Sequence, residues 1–132
     1  MTNADVLSAL SLINTRANAG AEAAKLKLYT GTAPANIDTA LSGNTLLATH
    51  TMTDPAFAAP VDTAPGGSMT ANAIASDTSI DATGTLTFGR ITDSNDLDVY
   101  QVSLAEIMVG TTAYVAGAIS AVTALVITMP EI

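Results

Sequence analysis

The chain has 132 residues, with 12 Asp and Glu against 4 Lys and Arg and a net charge of −8. That length suits one domain with one core, and that charge repels phosphate backbones, so nucleic acid is not an expected partner. Zero Cys excludes disulfides and thiolate chemistry, a single His leaves little for histidine-based catalysis, and with 4% aromatic residues the core must be built from aliphatic side chains.

The opening MTNADVLSALSLINTR carries Asp5 before any basic residue. It reads as neither a secretory signal nor a transit peptide, which predicts synthesis and retention in a cytoplasm. Over residues 4–18, Val6, Leu7, Leu10 and Ile13 share one helical face, Thr2 or Asn3 is placed to cap it, and Gly20 lies just past its end. One short amphipathic helix is expected within residues 1–24. Its apolar face serves either as an arm that docks on a partner or as a cover over one end of its own domain.

From Lys25 the period becomes alternating: KLKLY puts two Lys on one face and two Leu on the other, the mark of a half-buried strand. Further strands are expected over 45–52, 69–74, 83–92, 96–104, 107–116 and 118–129, separated by Gly, Pro, Asn, Asp, Ser and Thr clusters. About seven strands over residues 25–132 predict an all-β fold, a β-sandwich of jelly-roll type preceded by the single short N-terminal helix. The uncharged run 108–129 is as long as a membrane span. It also contains two Gly and several Thr and Ser, and no Lys or Arg flanks it, so two buried strands are the better reading and no membrane association is expected. The connections 31–44 and 53–68 are long for hairpins, and the second holds Pro55, Pro60 and Pro65 around Phe57. Such loops are where an all-β domain carries its interactions.

Chemistry is thinly represented. His50 falls on a strand face with Leu46, Ala48 and Met52, and no nucleophile motif accompanies it, so a structural role is expected and no catalytic residue is assigned. Residues 93–98, DSNDLD, hint at a cation loop but have Leu at the fifth position and no following Gly, so a hairpin turn explains them and no metal or cofactor is expected. The Asp residues lack the aromatic platforms of sugar-cleaving sites, and Gly66-Gly67 is not followed by a phosphate-binding helix.

The ordered set KLKLYTGTAP (25–34), LLATHTMTDPAF (46–57), ANAI (71–74), ATGT (82–85) and ITMP (127–130) resembles a family of small tailed-bacteriophage and prophage virion proteins. The resemblance spans nearly the whole chain from Lys25. It implies a non-enzymatic structural protein of the capsid cement or decoration type with a jelly-roll-like sandwich. Such a protein would bind the major capsid protein on the virion surface and stabilise the shell. The alternatives are a tail or baseplate component and, in a different class, a carbohydrate-binding jelly-roll module; an enzyme ranks last.

On this reading the site is an interface. Its expected members are the helical face of Val6, Leu10 and Ile13, the turn from Tyr29 to Pro34, and the loop with Pro55, Phe57 and Pro60. Removal of residues 1–20 is expected to weaken binding to the shell while leaving the sandwich folded. The closing strand carries Leu125, Ile127 and Met129 on one face and Val122, Ala124 and Val126 on the other. A strand facing solvent would alternate apolar with polar. Both faces are therefore expected to be covered, the Val126 face by another subunit of a homodimer or homotrimer or by the N-terminal segment.

Overall fold

A computed structural model describes residues 2–131. Among the described residues one α-helix, α1 (Asn3–Ala17), precedes ten strands: β1 (Lys25–Tyr29), β2 (Leu46–Thr51), β3 (Val61–Asp62), β4 (Gly67–Thr70), β5 (Gly84–Thr85), β6 (Phe88–Thr92), β7 (Asp98–Ser103), β8 (Ile107–Val109), β9 (Ala113–Tyr114) and β10 (Val122–Met129). The strands form two four-stranded antiparallel sheets, β2-β1-β6-β7 and β3-β4-β10-β8, and a two-stranded sheet β5-β9. The fold is thus mostly β with one α-helix, and its sheets are open rather than closed.

Helix α1 starts where a polar side chain can satisfy its free amides. The Thr2 hydroxyl accepts from the Asp5 amide at 3.2 Å, while the Asp5 carboxylate accepts from the Thr2 amide at 2.9 Å. These bonds hold the Asp5 carboxyl below its ordinary range. Val6, Leu10, Ile13 and Ala17, spaced four, three and four apart, are all buried. They belong to the same cluster as Leu26, Leu28 and Ile91 of the first sheet and Met69, Leu125 and Ile127 of the second. A division at residue 24 therefore cuts through one shared core.

Several strands are shorter than their sequence runs. Residues 83–92 break at Leu86-Thr87, where the chain leaves β9 for β1: the Leu86 amide donates to Thr112 O and the Thr87 amide to Tyr29 O. The run 107–116 splits at Gly110 in the same way, into β8 and β9. Run 108–129 is thus strand and turn, and among the described residues no helix is long and apolar enough to cross a membrane.

Two glycines fix how close these pieces come. At Gly67 an added Cβ would meet Leu7 Cδ2 at 3.0 Å and Leu10 Cδ1 at 3.3 Å, so its bare backbone makes room for α1 against β4. Gly66 has φ +97 and faces the Met129 carbonyl so closely that a side chain would collide, which lets the β3–β4 turn sit on the end of β10.

The outer face of the first sheet is covered by the chain itself. Arg90, buried in the centre of β6, donates to Thr39 O at 2.6 Å, Asn36 O at 3.4 Å, Gln101 Oε1 at 3.1 Å and Asp98 Oδ2 at 3.2 Å. Gln101 in turn donates to Pro34 O at 2.7 Å. A guanidinium presents several donors in a fixed fork, which suits it to tying a loop of carbonyls to a sheet. Connection 31–44 is therefore strapped to β6 and β7.

Candidate functional site

The residues expected to form an interface divide into two groups. Val6, Leu10 and Ile13 are not displayed for a partner. Their face is fully used inside the molecule, which corrects the arm reading in favour of the internal cover. Phe57 is likewise buried at 2% exposure, because loop 53–68 is pinned to the helix. Asn14 accepts from the Phe57 amide at 3.2 Å and donates to the Phe57 carbonyl at 3.3 Å, while Asn18 accepts from the Ala56 amide at 2.9 Å. Tyr29 is also buried, stacked on Phe88 with ring centroids 5.4 Å apart. Pro55 remains exposed, and Pro34, Pro60 and Val126 are half-buried. These residues lie on different elements.

Directly paired residues of an antiparallel sheet share a face. Val126 pairs with Thr70, Thr128 with Ser68, Ser68 with Val61, and Ala124 with Met108. One face of the second sheet therefore presents Val61, Ser68, Thr70, Met108, Ala124, Val126 and Thr128, with no charged side chain. Val61 and Met108 are 60% and 59% exposed. Gly67, which receives α1, shares the opposite face with Met69 and Ile127. The N-terminal segment thus covers the core side of β10 and leaves the Val126 side without it. Sequence alternation alone pointed to Val126; Val61 and Met108 join it only through strand pairing.

A second assembly was not legible in the sequence. His50, fully buried on β2, donates through Nδ1 to Ala75 O at 2.9 Å. A carbonyl can only accept, so this bond fixes the proton on Nδ1 and makes Nε2 an acceptor. The Ser120 hydroxyl, 2.9 Å away, donates to Nε2. Ser120 Oγ is also hydrogen-bonded to Tyr114 Oη at 2.9 Å. The result is a hydrogen-bonded relay linking Tyr114, Ser120, His50 and a backbone carbonyl. It places a serine beside a histidine, but the histidine's other nitrogen is held by a neutral carbonyl rather than by a carboxylate that would stabilise an imidazolium. The relay joins β2 to the segment before β10. Asp77 tightens the same corner: its carboxylate accepts from the Thr49 amide at 2.9 Å and its backbone pairs with Ser120.

The acidic segment 93–98 is a turn. Asp93 Oδ1 accepts from the Asn95 and Leu97 amides at 2.8 and 3.1 Å. Asp96 is occupied by Lys27 at 2.9 Å and Lys25 at 3.1 Å, which lower its pKa, Lys27 foremost. Among the described residues there is no group of three or more His, Asp or Glu side chains arranged to hold a metal ion.

Tyr100 gives a pH-dependent signature. Burial, reinforced by the neighbouring Glu106 carboxylate, pushes its hydroxyl up to about 12. The folded state thus prefers the neutral phenol. The stability this supplies is fully present below the ordinary tyrosine pKa of about 10 and is lost as pH rises through about 12. Burial raises Tyr29 as well. An absorbance titration of tyrosinate is expected to show a late phase near pH 12 that moves down toward about 10 in denaturant. A single phase at the ordinary value in the folded protein would contradict this environment.

No protein-family model, no curated protein and no solved structure matches this chain.

Proposed function

We propose that the protein is a non-enzymatic virion component of a tailed bacteriophage, a capsid cement or decoration protein that binds the major capsid protein on the virion surface. It would be made in the host cytoplasm. On this reading the two four-stranded sheets are the layers of a jelly-roll sandwich. The observation that carries the proposal is the uncharged face of Val61, Met108, Ala124 and Val126 on a chain whose net charge is −8. A protein that covers seams between coat subunits works through flat faces, loops and strand edges rather than through a reactive centre. The ordered sequence resemblance from Lys25 to Pro130 supports the same class. A carbohydrate-binding role is less well supported, since Tyr29, Tyr114, Phe57 and Phe88 are buried and Tyr100 is half-buried, leaving no ring platform for a sugar.

The direct test is co-sedimentation of the purified protein with shells assembled from a tailed-phage major capsid protein, followed by cryo-electron microscopy of the particles. Ordered density on the outer shell at fixed symmetry positions is the expected result. Density confined to the tail would move the protein to the tail or baseplate class, and no association with either would overturn the virion reading.

The same face is expected to mediate self-association. Burying a valine contributes about 1.5–3 kcal/mol, and burying an unpaired carboxylate costs at least as much. Val126→Asp should therefore weaken a homodimer or homotrimer by roughly tenfold or more, read by sizing at several concentrations. An unchanged oligomeric state in a folded variant would remove this face from the subunit contact.

A further inference from the structure

Strands β1 and β2 are antiparallel neighbours whose chain ends meet just beyond them, where the Thr30 amide donates to Thr45 O at 3.0 Å. A two-residue turn can close such a pair, yet the chain spends residues 31–44 on the connection. Segment 31–44 is thus an Ω-loop, a compact excursion whose ends touch. It holds its own shape: Asn36 Oδ1 accepts from the Asp38 and Thr39 amides at 3.1 Å each, and Asn44 Nδ2 donates to Thr32 O at 3.0 Å. A glycine in the left-handed region stands at either end, Gly31 at φ +82 and Gly43 at φ +70. None of residues 31–44 belongs to the core cluster.

The face beneath the loop is also separate from the core. Strand pairing sets Lys27 opposite Arg90 and Tyr29 opposite Phe88 on the outer side of the first sheet. Tyr29 and Phe88 are buried, but they stack on each other and lie outside the core cluster. We propose that segment 31–44 is a lid that opens as a unit, and that the face of Tyr29, Phe88, Arg90 and Gln101 beneath it is a docking surface for a peptide segment of a partner, which the lid occupies in cis.

The lid itself shows what the face accepts. Its ties to the sheet are made through main-chain carbonyls: Thr39 O and Asn36 O accept from Arg90, Pro34 O from Gln101, and Gly31 O from the Thr87 hydroxyl at 2.6 Å. Between residues 31 and 43 only Pro34 and Ile37 are half-buried, and every other residue is exposed. The matching ligand is therefore a peptide that offers backbone carbonyls and one or two small apolar side chains. Lifting the lid breaks these few bonds and no core contact, so it belongs to the low-stability end of the structure. The Arg90 guanidinium stays charged throughout and keeps Gln101 and Asp98 as partners, but it loses two carbonyls that a bound peptide replaces. The surface is independent of the virion reading, which rests on the second sheet.

Limited proteolysis of the full chain reads the opening. Cleavage confined to residues 32–43, at a rate unchanged by urea well below the unfolding midpoint, is expected of a lid that opens locally. Cleavage that appears only with global unfolding would overturn the lid. The docking surface is read in a variant in which Asn-Gly replaces residues 31–44, with a capped peptide of residues 32–42 as the probe and the Tyr29 and Phe88 ring resonances followed by NMR. Saturable shifts are expected at a Kd on the order of 0.1 mM. Binding should be about tenfold weaker in the intact protein, where the lid competes at millimolar effective concentration. A peptide carrying Ile37→Asp should bind the short-loop variant about tenfold more weakly than the native sequence. A folded short-loop variant without saturable shifts, or one that binds both peptides equally, would reject the surface. A short-loop variant that does not fold would show the segment to be integral to the structure and would overturn the proposal as well.

Discussion

Removal of residues 1–20 is expected to unfold the protein. Val6 and Leu10 are fully buried and Ile13 nearly so; exposing the surfaces they cover forfeits about 1.5–3 kcal/mol for each side chain. The loss is comparable with the 5–15 kcal/mol that typically holds a whole domain together. Asn14 and Asn18 leave with the helix, and with them the bonds that satisfy the Phe57 and Ala56 backbones. Circular dichroism and solubility of the truncated chain measure the effect directly. Leu10→Ala offers a graded version, with an expected loss of about 3 kcal/mol in urea unfolding. A truncated protein that keeps the native spectrum and a cooperative melt would restore the helix to the role of a detachable arm.

The second large effect is expected at His50. Replacing it with alanine removes the donor to Ala75 O and the acceptor of the Ser120 hydroxyl, and leaves a hole in the core of the first sheet. An orphaned buried polar group costs about 1–3 kcal/mol, and the cavity adds to it, so His50→Ala should lose about 4 kcal/mol. Ser120→Ala, which deletes the middle of the relay but leaves His50 bonded to Ala75, should lose about 1–2 kcal/mol. Urea unfolding of both variants compares the two. Equal, small losses would mean that the relay is not a structural tie.

Much of the secondary structure was legible because local chemistry decides it. KLKLY could only be a strand with its leucines inward, Thr2 and Asp5 stand at the spacing that starts a helix, and Asp93 with the polar residues after it makes a turn. The two-residue strand β3 is too short to show a period, so it was missed. The helix illustrates a different limit. Its apolar face announces that something covers it, but whether that something is the same chain depends on Gly67, half the chain away, leaving room for Leu7 and Leu10. Phe57 shows the same ambiguity, since an aromatic residue in a Pro-rich loop reads as displayed until Asn14 is found holding its backbone from both sides. The relay was invisible for a simpler reason: His50 and Ser120 are 70 residues apart and neither sits in a motif.

The order in which the chain closes its sheets bears on how it reaches this structure. Strand β1 takes β6 as its central neighbour, and β4 waits for β10, so each four-stranded sheet is completed by a partner roughly 60 residues further along. Helix α1, although it is made first, packs on β4 and β10. A growing chain therefore exposes the helix's apolar face throughout synthesis. Pairings this distant in sequence must close long loops before they yield any contact, which places folding in the millisecond-to-second range of non-local β proteins, roughly. The second sheet consequently closes on β4 only once β10, the last strand, is present, whereas every strand of the first sheet precedes it in the chain.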